Sequence, residues 1–166
     1  MALFAEEHSI PMTHILSFQL NGAPVQALVK PSDSLLDVLR EKLDVTSPKR
    51  GCDSGDCGAC TVLLEGKAVR ACLTCALTVE NKQVVTVEGL SQDGKLQPLQ
   101  EAFMAHGGSQ CGYCTSGMLI SATALLAKSP HPQRQDIAQE MSGNLCRCGC
   151  YEEITQAILD TARKGE

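Results

Sequence analysis

The pattern of apolar and polar positions changes character a little past the middle of the chain. From His14 the apolar positions follow a strand period through Ile15, Leu16, Phe18 and Leu20, Asn21-Gly22 supplies a tight hairpin turn, and 25–29 reads as the returning strand. Ser32 or Asp33 is placed to cap a helix over 34–43, whose Leu35, Leu36, Leu39 and Leu43 recur at helical spacing and give one apolar face to lie across the hairpin. Residues 50–60 hold Gly51, Gly55 and Gly58 between cysteines, a composition that predicts a loop whose backbone approaches something closely. Strands over 61–64, across the Glu65-Gly66 turn to Val69, and over 83–87 complete a small mixed sheet. Beyond Gly89 the strand pattern gives way to helical spacing, which predicts helices over 96–106, 115–128, 135–141 and 152–163 with a break at 129–132.

This change divides the 166 residues into an N-terminal tail, or an arm to lie on a partner, at 1–13, a sheet-containing domain at 14–90, a linker at 91–95 and a helical domain at 96–166. The fold class is α+β, and four helices of this length predict a compact bundle. With no Trp and 3% aromatic residues, both cores must be aliphatic. Each half is small enough that metal crosslinks and a partner's surface are expected sources of stability.

A formal net charge of −5 and scattered Lys and Arg give no basic footprint, which excludes nucleic acid as the expected partner. No apolar run approaches the roughly 20 residues of a membrane span. The start of the chain, with Glu6, Glu7 and His8, lacks the basic and apolar regions of an export signal, so a cytoplasmic location is expected. In such a compartment ten cysteines are expected to serve as free thiols or metal ligands rather than as disulfides.

Eight of the ten fall into two quartets. Cys52, Cys57, Cys60 and Cys72 read C-x4-C-x2-C-x11-C, the spacing of a plant-type [2Fe–2S] site. Cys111, Cys114, Cys146 and Cys148 form two close pairs separated by a long insert. Four thiolates around two ferric ions and two sulfides leave a dianionic cluster, more negative still on reduction. Glycine beside cysteine, as at Gly51, Gly55, Gly58, Gly112 and Gly149, allows backbone N–H groups to turn toward the sulfurs and compensate that charge. Zinc is the competing reading, but its usual knuckles are C-x2-C to C-x4-C, and neither the three-cysteine loop nor the tight C-x-C at 146–148 follows that habit.

The loop G-C-D-S-G-D-C-G-A-C, together with Q-C-G-Y-C-T and G-N-L-C-R-C, resembles the small iron–sulfur subunit of the molybdenum hydroxylases over about residues 14–162. That family includes xanthine dehydrogenase, aldehyde oxidase, aerobic-type carbon monoxide dehydrogenase and 4-hydroxybenzoyl-CoA reductase. The resemblance implies an N-terminal β-grasp, plant-ferredoxin-like domain and a C-terminal four-helix bundle, each with one [2Fe–2S] cluster. It also implies a large subunit carrying molybdopterin and a medium subunit carrying FAD, in a heterotrimer or a dimer of heterotrimers. Electrons would pass from molybdenum to the Cys111, Cys114, Cys146, Cys148 cluster, then to the Cys52, Cys57, Cys60, Cys72 cluster, and leave through flavin. A partner of the 4-hydroxybenzoyl-CoA reductase type would reverse that flow. By the same resemblance Gln110 hydrogen-bonds the pterin and Cys148 is the ligand nearest it; a solvated loop amide is the plain alternative for Gln110.

The chain departs from the family pattern at two places. C-R-C-T-G-Y becomes Cys146-Arg147-Cys148-Gly149-Cys150-Tyr151, which opens Cys150 as an alternative ligand to Cys148. A glycine position near a cluster normally needs an unusual backbone, so Cys150 is expected to point away. Ser116 stands where the family commonly has proline, and its hydroxyl is expected to support the helix start. Cys75 and the methionines Met104 and Met118 read as buried packing residues. His8, His14, His106 and His131 lie outside the cysteine motifs, Asp53 and Asp56 read as solvated, and Arg147 either balances charge or is a plain surface residue.

No catalytic residue is assigned. The chain has no phosphate-binding G-x-x-x-x-G-K-[ST] and no dinucleotide fingerprint, so flavin and pterin are expected on other chains. The function expected is electron transfer within an oxidoreductase complex, against a soluble two-cluster ferredoxin or a zinc-stapled interaction module.

Overall fold

The computed structural model describes residues 12–91 and 93–164; the arm expected at 1–13 lies, but for Met12 and Thr13, outside them, as do His8 and Gln92 of the linker. Strands β1 (His14–Leu20) and β2 (Ala23–Val29) pair antiparallel, from His14 opposite Val29 to Leu20 opposite Ala23. The turn between them places Asn21 at φ +52° and Gly22 at φ +83°, the left-handed pair that a two-residue hairpin requires. Leu16, Phe18, Leu20, Ala27 and Val29 are buried, whereas Ile15 and its cross-strand partner Leu28 face outward. Strands β3 (Thr61–Leu64), β4 (Lys67–Arg70) and β5 (Gln83–Val85) extend the sheet to the order β2-β1-β5-β3-β4, with β1 and β5 parallel. β5 ends two residues before the expected limit because the Thr86 amide donates to Asn21 Oδ1 at 2.9 Å, and the chain then turns through a 3₁₀ segment at Val87–Leu90.

The expected helix over 34–43 is one α turn, α1 (Leu35–Asp37), that opens into a wider π turn at Val38–Lys42. Its cap is neither Ser32 nor Asp33 but Ser34. Ser34 Oγ accepts the Asp37 amide at 3.1 Å while Asp37 Oδ2 accepts the Ser34 amide at 2.8 Å, a reciprocal pair that only the three-residue spacing permits. Asp33 instead accepts the Lys30 amide at 2.9 Å in the preceding turn. Leu35, Leu36, Val38 and Leu39 are buried against the hairpin and form one core with Val62, Val79 and Val84.

A second core lies among α2 (Pro98–Ala105), α3 (Thr115–Lys128), α4 (Arg134–Met141) and α5 (Tyr151–Lys164). α2 starts at Pro98 rather than Leu96, since Gln97 and Gln100 cap each other and Pro98 takes the first helical position, where a missing N–H costs nothing. Met118 is fully buried as expected, but Met104 is 72% exposed: Leu99, Ala102 and Phe103 make the inward stripe of α2, and residue 104 falls on the opposite side. α3 is buried nearly all round, because it packs on α2 and α4 within the helical half and also on β3 and β4 of the sheet. Among the described residues no helix is long and apolar enough to cross a membrane.

Candidate metal centres

The loop that follows the π turn brings Cys52, Cys57 and Cys60 toward Cys72, which lies just beyond β4. Its path needs left-handed backbone at Asp53 (φ +55°), Gly55 (φ +84°) and Gly58 (φ +68°). Arg50 ties down its base, donating to Asp53 at 2.8 and 2.9 Å and to Asp37 at 2.5 Å. Gly51 leaves room for a sulfur, since a Cβ there would stand 2.7 Å from Cys57 Sγ. Cys52 Sγ accepts the amides of Ser54 and Cys57, each at 3.4 Å. The Ser54 hydroxyl and these amides lower the Cys52 thiol to about 6. The Cys57 thiol is pushed up by burial, and it accepts the Ala59 amide while lying against Cys52. Burial and contact with the Cys60 thiol push Cys72 up to about 11, although the Gly55 amide is directed at its sulfur. The four thiols therefore stand as two pairs, 52 with 57 and 60 with 72.

The second quartet is built at two helix starts. Cys111 and Cys114 precede α3, and Cys146 and Cys148 precede α5. Here too the thiols pair, Cys111 with Cys148 and Cys114 with Cys146. Cys114 is pushed up to about 12, first by burial and then by the neighbouring Cys146 sulfur. Burial opposes ionisation at Cys146 as well, but the amides of Cys150, Gly149 and Cys148 and the Cys114 thiol converge on its sulfur and hold it below the ordinary thiol value. Those amides belong to the turn that leads into α5, whose N-terminus favours negative charge. Cys114 and Cys146 are buried, Cys111 and Cys148 exposed.

This arrangement fits a binuclear iron–sulfur cluster in each quartet. Such a cluster takes two ligands on each of its irons, and paired thiols supply that. Among the described residues no three His, Cys, Asp or Glu side chains are disposed about one ion. The amide hydrogens aimed at Cys52, Cys57, Cys72, Cys111 and Cys146 supply the compensation that a dianionic cluster needs.

A buried polar seam joins the two loops. The Leu145 amide donates to the Cys57 carbonyl at 2.8 Å. Asn144, 2% exposed, donates to the Gly58 carbonyl at 3.0 Å and accepts the Ser121 hydroxyl at 2.9 Å. Arg70 reaches the Gly143 carbonyl at 2.5 Å and Thr61 Oγ1 at 2.9 Å. A Cβ on Gly58 would collide with Gly143 and Asn144, and one on Gly117 with the Gly58 carbonyl, so both glycines are required by close approach. Tyr113 donates to the Arg50 carbonyl at 2.8 Å, and Ser116 to the Ser47 carbonyl at 2.6 Å. Ser116 thus ties the halves together instead of capping α3, whose start has no side-chain cap.

Cys75 is exposed rather than buried, its thiol facing the Pro31 carbonyl at 3.9 Å; Ala76 and Val79 take the inward positions of the 3₁₀ turn that it precedes. Cys150, expected to point away, is 1% exposed and its thiol lies against Cys146, while Cys148 meets Cys111. Gln110 and Arg147 are exposed beside the second quartet. His106 pairs with Asp160 at 3.2 Å, away from both quartets. Asp56 accepts the Ser54 hydroxyl at 2.5 Å, and Asp53 is paired with Arg50 rather than simply solvated. Sequence reasoning did not single out Asn144, Tyr151, Tyr113 or Arg70. The first three lie in or beside the cysteine motifs, which was the available signal; Arg70 carried none.

A family model of the 2Fe-2S iron-sulfur cluster binding domain matches residues 18–104, and one of the [2Fe-2S] binding domain matches residues 86–159. The small subunit of nicotine 6-hydroxylase from Paenarthrobacter nicotinovorans is 46% identical over 145 residues, 87% of each chain. A chain in the crystal structure of quinoline 2-oxidoreductase from Pseudomonas putida 86 superposes with a TM-score of 0.85 at 44% identity, covering 93% of this chain and 98% of that one. The aldehyde oxidoreductase from Desulfovibrio desulfuricans ATCC 27774 superposes with a TM-score of 0.87 at 44% identity, over 92% of this chain but 17% of that much longer one. With two family models that each describe a [2Fe–2S] domain, and relatives of this identity and coverage, the chain belongs to the iron–sulfur small subunits of the molybdenum hydroxylases.

Proposed function

We propose that this chain is the electron-transfer subunit of a molybdenum hydroxylase, linking the molybdopterin site of a large subunit to an FAD subunit through two [2Fe–2S] clusters. Cys52, Cys57, Cys60 and Cys72 would hold one, and Cys111, Cys114, Cys146 and Cys148 the other. The observation that carries the reading is that the fold brings the four thiols of each quartet together, with backbone amides aimed at the sulfurs as those of Ser54 and Cys57 are at Cys52. A bound cluster of this kind supplies reversible one-electron capacity. The chain's own residues do the rest. Buried Cys60, Cys114 and Cys146 keep water from one side of each site, and exposed Cys52, Cys111 and Cys148 bring its other side to the surface. The Leu145 amide on the Cys57 carbonyl fixes the two ligand loops against each other. We assign Gln110 to the pterin and Cys148 as the ligand nearest it; both are exposed, as residues that meet a large subunit would be. In this reading 14–90 is the ferredoxin-like β-grasp domain, 91–95 the linker and 96–166 the four-helix bundle, working in a heterotrimer or a dimer of heterotrimers.

The test is anaerobic isolation of the native complex, followed by electron paramagnetic resonance after dithionite. Two distinct signals are expected, with Cys60→Ser removing one and Cys114→Ser the other. A colourless preparation carrying zinc would instead make the chain an interaction module. An isolated 17.7 kDa species with both clusters and rapid exchange with several acceptors would make it a soluble ferredoxin.

A further inference from the structure

Arg70 is a part-buried cation that the proposed function leaves without a role. It ends β4 opposite Thr61 of β3, and its guanidinium lies in the seam between the two ligand loops. Nη1 donates to Thr61 Oγ1 at 2.9 Å, and the buried Thr61 hydroxyl donates in turn to the Gly58 carbonyl at 2.5 Å, between Cys57 and Cys60. Nη2 donates to the Gly143 carbonyl at 2.5 Å, in the turn that runs through Asn144 and Leu145 to Cys146. A Cβ on Gly143 would collide with Nη2, so glycine there lets the backbone close on the guanidinium. One nitrogen of the same charge therefore faces each quartet's loop.

Both of these partners are neutral oxygens. Among the described residues no carboxylate lies within ion-pair distance of Arg70, whereas Arg50 meets Asp37 and Asp53, and Arg134 meets Glu152. A charge taken out of water without an opposite one nearby is costly. The negative charge that a cluster would bring to each flanking loop is the missing counterpart. A guanidinium is a fixed cation, and away from bulk solvent its field is weakly screened. Such a field favours the more negative, reduced form of a cluster. Arg147, exposed beside the second quartet, is open to screening and has no such placement. We propose that Arg70 is a tuning residue for both clusters: its one charge, held between the ligand loops, raises both reduction potentials. The inference rests on the assignment of the two quartets to iron–sulfur clusters.

The experiment is a redox titration of the intact complex, followed by electron paramagnetic resonance, for wild type, Arg70→Lys, Arg70→Gln and Arg70→Met. Lysine keeps the charge, glutamine keeps a hydrogen-bond donor without the charge, and methionine has neither. The expected result is that all three variants keep both signals. Both midpoints move to more negative potential in Arg70→Gln and Arg70→Met, and both stay close to wild type in Arg70→Lys. Wild-type midpoints in Arg70→Gln overturn the proposal, as does a shift in Arg70→Lys equal to that in Arg70→Met, since either would make the hydrogen bonds and not the charge the active element. A shift confined to one cluster overturns the claim on both. Loss of either signal from Arg70→Lys and Arg70→Gln also overturns it, and would make Arg70 a clamp on the ligand loops. Absence of both signals from the wild type would instead sink the assignment of the quartets, so the two failures are distinguishable.

Discussion

Asp37 shows how one side chain serves both the fold and the site. One carboxylate oxygen accepts the Ser34 amide at 2.8 Å and hydroxyl at 2.6 Å, and the other accepts Arg50, which also grips Asp53 in the first cysteine loop. Burial works against the charged form, but the Ser34 and Arg50 bonds prevail and hold the carboxyl below its usual range. A depressed carboxylate contributes stability that is complete above its unfolded value of about 4 and is lost as pH falls through the folded value. Asp37→Ala is therefore expected to cost about 1 kcal/mol at neutral pH, in the range of a lost helix cap. Denaturant unfolding measures that loss. The variant and the wild type are expected to converge only as pH falls below about 4 and on through the depressed folded-state value, where the wild-type carboxyl takes up its proton. A difference that persists unchanged in acid would show that the lost contribution is not electrostatic.

The strands and helices were legible because their periods are local. Alternation gave β1 and β2 to the residue at the outer ends, and helical spacing gave α3 without error. Errors fell at the ends of elements, where Ser32, Asp33 and Ser34 compete for one cap and only the reciprocal partner Asp37 decides. What could not be read was the seam between the halves, because its bonds join residues far apart in the chain: Asn144 to Gly58 across 86 positions and Ser116 to Ser47 across 69. Nothing in the local pattern marks Asn144 as buried. Its replacement by alanine would leave the Gly58 carbonyl without the amide that reaches it at 3.0 Å and the Ser121 hydroxyl without its acceptor. An unsatisfied buried group costs about 1–3 kcal/mol, so Asn144→Ala is expected to lower the melting temperature and make the proposed linker at 91–95 more open to protease. Unchanged cleavage would show that α3, which packs on both halves, holds them together without the seam.

The spacing of the two quartets was plain in the sequence, but their division between the two cores needed the fold. That division has a mechanical consequence. As the proposed ligands, the first quartet would fasten a loop to the end of β4, within one core, whereas the second would join the starts of α3 and α5 across the whole of α3 and α4. Each core is thin, and a crosslink closing a long loop restrains the unfolded chain more than one closing a short loop. Removal of iron by chelation under reducing conditions is therefore expected to act unevenly. Amide exchange should rise most at the first turns of α3 and α5, where Cys114 and Cys146 lose their common anchor. It should rise least in the β1–β2 hairpin, which is held by its own ladder and by α1. Hydrogen exchange followed by mass spectrometry reads the two regions separately. Equal loss of protection in hairpin and helices would mean that the two cores unfold as one, and that the second quartet is no more a structural clamp than the first.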